Sequence, residues 1–194
     1  PKVYFDLGNI YKSFKDYRKS IENYNIALNS INKDSDSYAD ILYRRGGSYE
    51  RLKEFERADE DLLLALELNP DQPYVLNYLA YSWLERKINI DQSMQMLLKA
   101  YEQKQSDPYI IDSVGWAYYL TEDYDLAEKF LKNALLIMPE DPIVNDHYGD
   151  VMWQLDMKLQ ARYYWNAALS SDEAEEKLIE DINNKLLFGL KNLQ

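Results

Sequence analysis

Residues 112–142 read DSVGWAYYLTEDYDLAEKFLKNALLIMPEDP. A glycine precedes a cluster of four aromatics, and a proline closes the stretch. The same design recurs upstream at 77–108, NYLAYSWLERKINIDQSMQMLLKAYEQKQSDP, and downstream at 145–169, NDHYGDVMWQLDMKLQARYYWNAAL. Self-similarity at a fixed period decides the fold before any chemistry is considered.

The unit begins with a large residue, a Leu and a small residue, then a Tyr or Trp one turn on. It occurs at Tyr4, Leu7, Gly8, Tyr11 and, more loosely, at Leu42, Arg45, Gly46, Tyr49. It returns at Leu76, Leu79, Ala80, Trp83, then at Ile111, Val114, Gly115, Tyr118, and last at Asn145, Tyr148, Gly149, Met152. The small slot falls at 8, 46, 80, 115 and 149, so successive spacings are 38, 34, 35 and 34. A second stripe follows each first one: Ser20, Tyr24, Ala27; Ala58, Leu62, Ala65; Ser93, Leu97, Ala100; Ala127, Leu131, Ala134; Ala161, Trp165, Ala168. Offsets of four and three keep each triplet on one helical face. The third unit carries a one-residue insertion around Ile88 to Ile90.

The spacing predicts helix–turn–helix units. The small slot lets the first helix approach the second closely, and the small residues of the second helix receive the next unit. No unit buries its apolar stripe alone, so neighbours must stack. Pro70, Pro73, Pro108, Pro139 and Pro142 all fall between units, where a missing N–H does no harm. Asp107-Pro108 and Asp141-Pro142 read as an N-cap followed by a first helical residue.

These residues resemble the tetratricopeptide repeat family over 2–171. The resemblance implies an all-α, right-handed superhelical solenoid of five units, at about 1–34, 35–71, 72–106, 107–140 and 141–171. The pattern is broken where Arg45 stands for Leu, Ser20 and Ser93 for Ala, and Asn145 for a large residue. The first junction is four residues longer, through Asn32 to Asp36. Residues 172–194 predict one further amphipathic helix, with Leu178, Ile182, Leu186 and Leu190 in a stripe, acidic residues at its start and Lys191 in its last turn. It reads as a cap on the open end of the stack; a partner-binding helix is the other reading. No such cap precedes Tyr4, so more repeats are expected upstream. The chain also does not start with Met and reads as a piece of a longer protein.

Composition narrows the partners. Net charge is -12 with a pI near 4.6, which repels nucleic acid and anionic lipid surfaces. Apolar runs are too short for a membrane span. The absence of cysteine removes disulfides and thiolate chemistry. The single histidine, His147, reads as a partly exposed helical side chain. It forms no dyad with Asp146, because adjacent residues on a helix do not face each other. Asp34, Asp36 and Asp40 lack the glycine and terminal Glu of a calcium loop. No enzyme activity, metal or cofactor is expected.

The family resemblance implies that one face of each first helix lines a concave groove for extended peptides or helices. Carried onto this sequence, the groove residues are Tyr43, Tyr74, Asn77, Tyr81, Tyr109, Asp112, Trp116, Tyr119, Asp146, Asp150 and Trp153. Tyr and Trp supply large contact area at low entropy cost. The three aspartates could receive Lys or Arg, and the Asn77 amide a peptide backbone. The alternative is that the tyrosines only pad the inner face. The basic clamp that some family members use for acidic tails is incomplete: Asn9 and Arg44 fit, but Phe5 and Tyr74 stand where Lys is needed.

The sequence therefore predicts a protein-binding scaffold for an apolar and basic segment. Two rival readings remain. The repeats could be the targeting arm of an enzyme lying upstream, or a self-association module. Segments such as PDQPYVLNYLAYSWLER resemble bacterial, alphaproteobacterial-type repeat proteins, which favours a periplasmic or envelope setting.

Overall fold

The computed structural model describes residues 1–190. Lys191, expected in the last helical turn, lies outside the described residues. Eleven α-helices and no strand are present among them. They are α1 (Lys2–Ser13), α2 (Tyr17–Asn29), α3 (Asp36–Arg51), α4 (Phe55–Leu68), α5 (Pro73–Glu85) and α6 (Ile90–Gln103). Then come α7 (Pro108–Leu120), α8 (Tyr124–Ile137), α9 (Pro142–Gln154), α10 (Lys158–Leu169) and α11 (Glu176–Phe188). The chain folds as two compact units, Pro1–Asn89 and Ile90 onward.

Capping chemistry starts the helices where the sequence predicts. Asp107 and Asp141 each accept backbone N–H bonds from the second and third residues of α7 and α9, behind Pro108 and Pro142. Gln72 does the same for α5. Five of the inter-helix turns pass through a non-glycine residue with positive φ: Lys15, Lys53, Lys87, Glu122 and Asp156. Their spacing is 38, 34, 35 and 34, the spacing of the small slot. Asn89 also has positive φ, so the inserted residue is absorbed as one extra turn in the left-handed region.

In the first unit α1 pairs with α2 and α3 with α4, while α2 packs on α3 and α4 on α5. In the second, α7 pairs with α8 and α9 with α10; α6 packs on α7, α8 on α9 and α11 on α10. The small slots do what their position implies. A Cβ on Gly8 would sit 2.4 Å from the Tyr24 ring, on Gly115 2.6 Å from Leu131, and on Gly149 2.5 Å from Trp165. The facing residue is in each case the middle member of the second stripe. All three are fully buried.

Two of the departures from the repeat pattern, Asn145 and Arg45, are locally compensated. Asn145 Nδ2 donates to the Pro139 and Asp141 carbonyls and closes the junction before α9. Arg45, in a Leu slot, donates through Nε and Nη2 to both oxygens of Asp61 at 2.7 and 2.6 Å, and through Nη1 to Asn25 at 2.6 Å. Burial raises the Asp61 carboxyl above its ordinary value even with the guanidinium attached. Arg45→Leu should therefore cost about 3 kcal/mol, because Asp61 is left buried and unpaired. Arg45→Leu with Asp61→Leu should recover all or most of that loss. Urea denaturation of the three proteins decides it; equal losses in single and double variants would show that the pair does not act as a unit.

Candidate functional site

The candidate groove residues divide between the two compact units. Tyr43, Tyr74, Asn77 and Tyr81 belong to the first. The α3 and α5 helices present them because groove positions recur one turn apart along each first helix. Tyr43 is half-buried, meets Tyr78 edge-to-face at 5.8 Å, and has its hydroxyl pKa raised by burial. Tyr74 is exposed and Tyr81 half-buried. The side-chain oxygen of Asn77 is buried and has no hydrogen-bond partner. A cavity of about 240 Å³ opens nearby, lined by Asp40, Tyr43, Gln72 and Val75 among others.

Two residues beside this face carry chemistry that the repeat pattern does not mark. The Tyr78 hydroxyl donates to Glu50 at 3.1 Å and approaches the Gly47 carbonyl at 3.4 Å. Lys12 sits beside them, and its amine is pushed down to about 8 by burial and by the Arg44 charge. A Cβ on Gly47 would lie 2.8 Å from that amine, so the bare backbone makes the room. Only the three-dimensional neighbourhood distinguishes this lysine from a surface one.

The second unit holds Tyr109, Asp112, Trp116, Tyr119, Asp146, Asp150 and Trp153. Tyr109 is exposed. The three aspartates are buried and already have partners within the chain. His147 Nδ1 lies 3.0 and 3.1 Å from the two oxygens of Asp112. His147 is thus buried, correcting the sequence reading of a partly exposed side chain. Its carboxylate is not its sequence neighbour but one on α7. Trp116 stacks on the His147 ring at 4.1 Å and on Tyr119 at 4.6 Å, nearly parallel to both. Burial and the Asp150 charge push the Tyr119 hydroxyl up to about 12.

Lys185 of α11 supplies the other partner. Its amine donates to both oxygens of Asp146 at 2.8 Å and to Asp150 at 2.9 Å. Burial alone would lower the Lys185 pKa; the two carboxylates outweigh it and raise it. Trp165 Nε1 donates to the second Asp150 oxygen at 2.8 Å. Trp153 stacks on Trp165 at 5.3 Å, with the Lys158 amine over its ring at 4.3 Å. Gly189 packs so closely that a Cβ there would lie 2.2 Å from Trp153. These carboxylates are spent on internal pairs, and the expected reception of a ligand Lys or Arg is taken by the chain's own lysine.

The register explains why. Asp112 meets His147, Tyr119 meets Gln154, and Asp150 meets Lys185, each 35 residues apart. Helix α11 starts 34 residues after α9. It therefore occupies the place of a further first helix and bonds to α9 as α9 bonds to α7.

Burial, with the Asp146 carboxylate alongside, pushes the Asp150 carboxyl from 3.8 up to about 6 despite the Lys185 and Trp165 bonds. A group whose folded pKa is raised contributes stability below its unfolded pKa and loses it as pH climbs through the folded one. That contribution is therefore expected to disappear between about pH 4 and pH 6. Asp150→Asn should flatten this segment of a urea-midpoint against pH profile. An unchanged slope in the variant would assign the titration to another group.

Among the described residues, no group of three or more acidic or His side chains is placed to hold a metal, and no helix is long and apolar enough to cross a membrane. The family model described as tetratricopeptide repeat matches residues 1–34 and 39–72. A curated relative, the TPR repeat-containing protein PA4667 of Pseudomonas aeruginosa, is 29% identical over 110 residues. That match covers 57% of this chain, which spans only 18% of the relative's length. Among solved structures, the thermophilic TPR protein TTC0263 of Thermus thermophilus superposes with a TM-score of 0.75 at 18% identity, over 96% of this chain and 98% of that one. PilW, a type IV pilus biogenesis factor, gives 0.75 at 22% identity, over 97% and 86%. At such identities the structural likeness concerns the fold. Period, close-packed small slots, helix pairing and the family match over 1–34 and 39–72 agree: the chain carries tetratricopeptide repeats in its first part and shares the fold of solved tetratricopeptide structures.

Proposed function

We propose that this protein is a non-catalytic binding scaffold whose first unit holds an extended protein segment against α3 and α5. The fold is one that serves protein–protein interaction. The observation that carries the finer reading is the buried Asn77 side-chain oxygen of α5, which has no hydrogen-bond partner among the described residues. A buried acceptor without a donor costs about 1–3 kcal/mol. A backbone N–H of a bound segment would satisfy it, while Tyr43, Tyr74 and Tyr81 supply apolar area and hydroxyls.

The partner segment is apolar first. A basic side chain would compete with Arg44 for Asp40, a half-exposed carboxylate whose surface ion pair at 3.3 Å is more readily exchanged than the buried pairs of the second unit. An envelope-associated setting belongs to the same reading; PilW, which shares the fold, is a type IV pilus biogenesis factor. Fractionation of the source cells tests that part.

The binding test compares capture by the wild type with capture by Asn77→Ala with Tyr81→Ala, circular dichroism confirming that both are folded. A retained protein should bind the variant at least about tenfold more weakly, as hot-spot loss implies. Its binding segment, made as a peptide, should show the same difference. Equal affinity for both baits would overturn the assignment of this face.

A further inference from the structure

In every repeat the residues five before and two after the small slot lie on one face of the first helix. In α3 these are Ile41 and Ser48, in α5 Val75 and Ser82, in α7 Ile110 and Ala117, and in α9 Val144 and Val151. All eight are at most 5% exposed. In each unit the preceding second helix covers them. Ser48 lies 3.1 Å from Ser20 of α2, and Val144 packs with Ala134 of α8. In α1 the same two positions are Val3 and Ile10, and they are 67% and 49% exposed. Phe14, one turn further along that face, is 78% exposed.

Three large apolar side chains on one open stripe are the chemistry that the later units bury. Leaving them in water forfeits the hydrophobic stabilisation that burying each would bring. The stripe fits one kind of cover: a helix bearing two small residues seven apart, as each second helix here does.

A second copy of the described chain has no such helix to offer. Its small pairs, Ser20 and Ala27, Ala58 and Ala65, Ser93 and Ala100, Ala127 and Ala134, Ala161 and Ala168, are already at most 1% exposed. The last pair shares a core with Ile182 of α11, so α11 covers it. The matched relative is also far longer than the part this chain spans.

We propose that the Val3, Ile10 and Phe14 face docks the second helix of a further helix pair, lying upstream in the same polypeptide. Helix α1 then sits inside the array and does not begin it.

Hydroxyl-radical footprinting tests this on the protein isolated from its own cells beside this 194-residue chain. Phe14 and Ile10 should label at least about fivefold more slowly in the native protein, as burial of a side chain predicts. Equal labelling overturns the proposal, as does a native polypeptide with no helix pair ahead of α1. Protection that arises in the isolated chain as its concentration increases also overturns it, by making a second copy the occupant. Phe14→Asp in the isolated chain should leave its thermal midpoint unchanged. A clear drop would mean that Phe14 serves this chain's own packing, and would likewise overturn the proposal.

Discussion

Replacing Lys185 by Ala should unfold α11 and cost the protein about 3–5 kcal/mol. The lysine amine bonds Asp146 twice and Asp150 once, and both carboxylates are nearly inaccessible to water. Removing the cation leaves two like charges side by side in a low-dielectric site, the costly case for a buried pair. Amide hydrogen exchange across α11 should rise to the rate of an unprotected segment, while α3 and α4 keep their protection. Lys185→Met combined with Asp146→Asn and Asp150→Asn should restore much of the loss, since no uncompensated charge remains. Loss in the triple variant equal to that in Lys185→Ala would show that shape at this position, not charge, holds α11.

Trp165→Ala should be as damaging, about 3–5 kcal/mol. Trp165 is fully buried, and its indole fills the space that Gly149 leaves open. Its Nε1 is also one of the donors to Asp150, so the variant opens a cavity and strips a hydrogen bond from a buried carboxylate. Trp165→Phe separates the two effects. It keeps most of the ring and loses only the donor, so about 1–3 kcal/mol is expected. Urea midpoints at neutral pH measure both. A Phe variant as unstable as the Ala variant would assign the whole cost to the hydrogen bond.

Helix pairing was legible because it depends on local periodicity. The small slots at 8, 115 and 149 and the residues facing them, Tyr24, Leu131 and Trp165, lie about half a period apart, and the spacing alone puts them in contact. The N-caps at Asp107 and Asp141 were readable for the same reason. The candidate site was only partly readable. The face of Tyr43, Tyr74, Asn77 and Tyr81 could be named from position. That Asn77 keeps an unpaired acceptor could not, because satisfaction of a buried amide depends on side chains from several helices.

The aspartates show the limit most clearly. By position Asp112, Asp146 and Asp150 are groove carboxylates awaiting a basic ligand. Their partners, His147 and Lys185, stand 35 residues on for Asp112 and Asp150, one repeat and one residue away. The repeat period was visible, but which side chains bridge neighbouring first helices depends on their rotation and reach. The sequence by itself determined the all-helical repeat, its period, its helix N-caps and its final amphipathic helix, because these follow from backbone propensity and stripes of apolar residues. Tertiary structure alone decided which charges are spent and which remain for a partner. Ion pairing depends on burial and on distances of about 3 Å, and packed helices set those distances, not spacing along the chain.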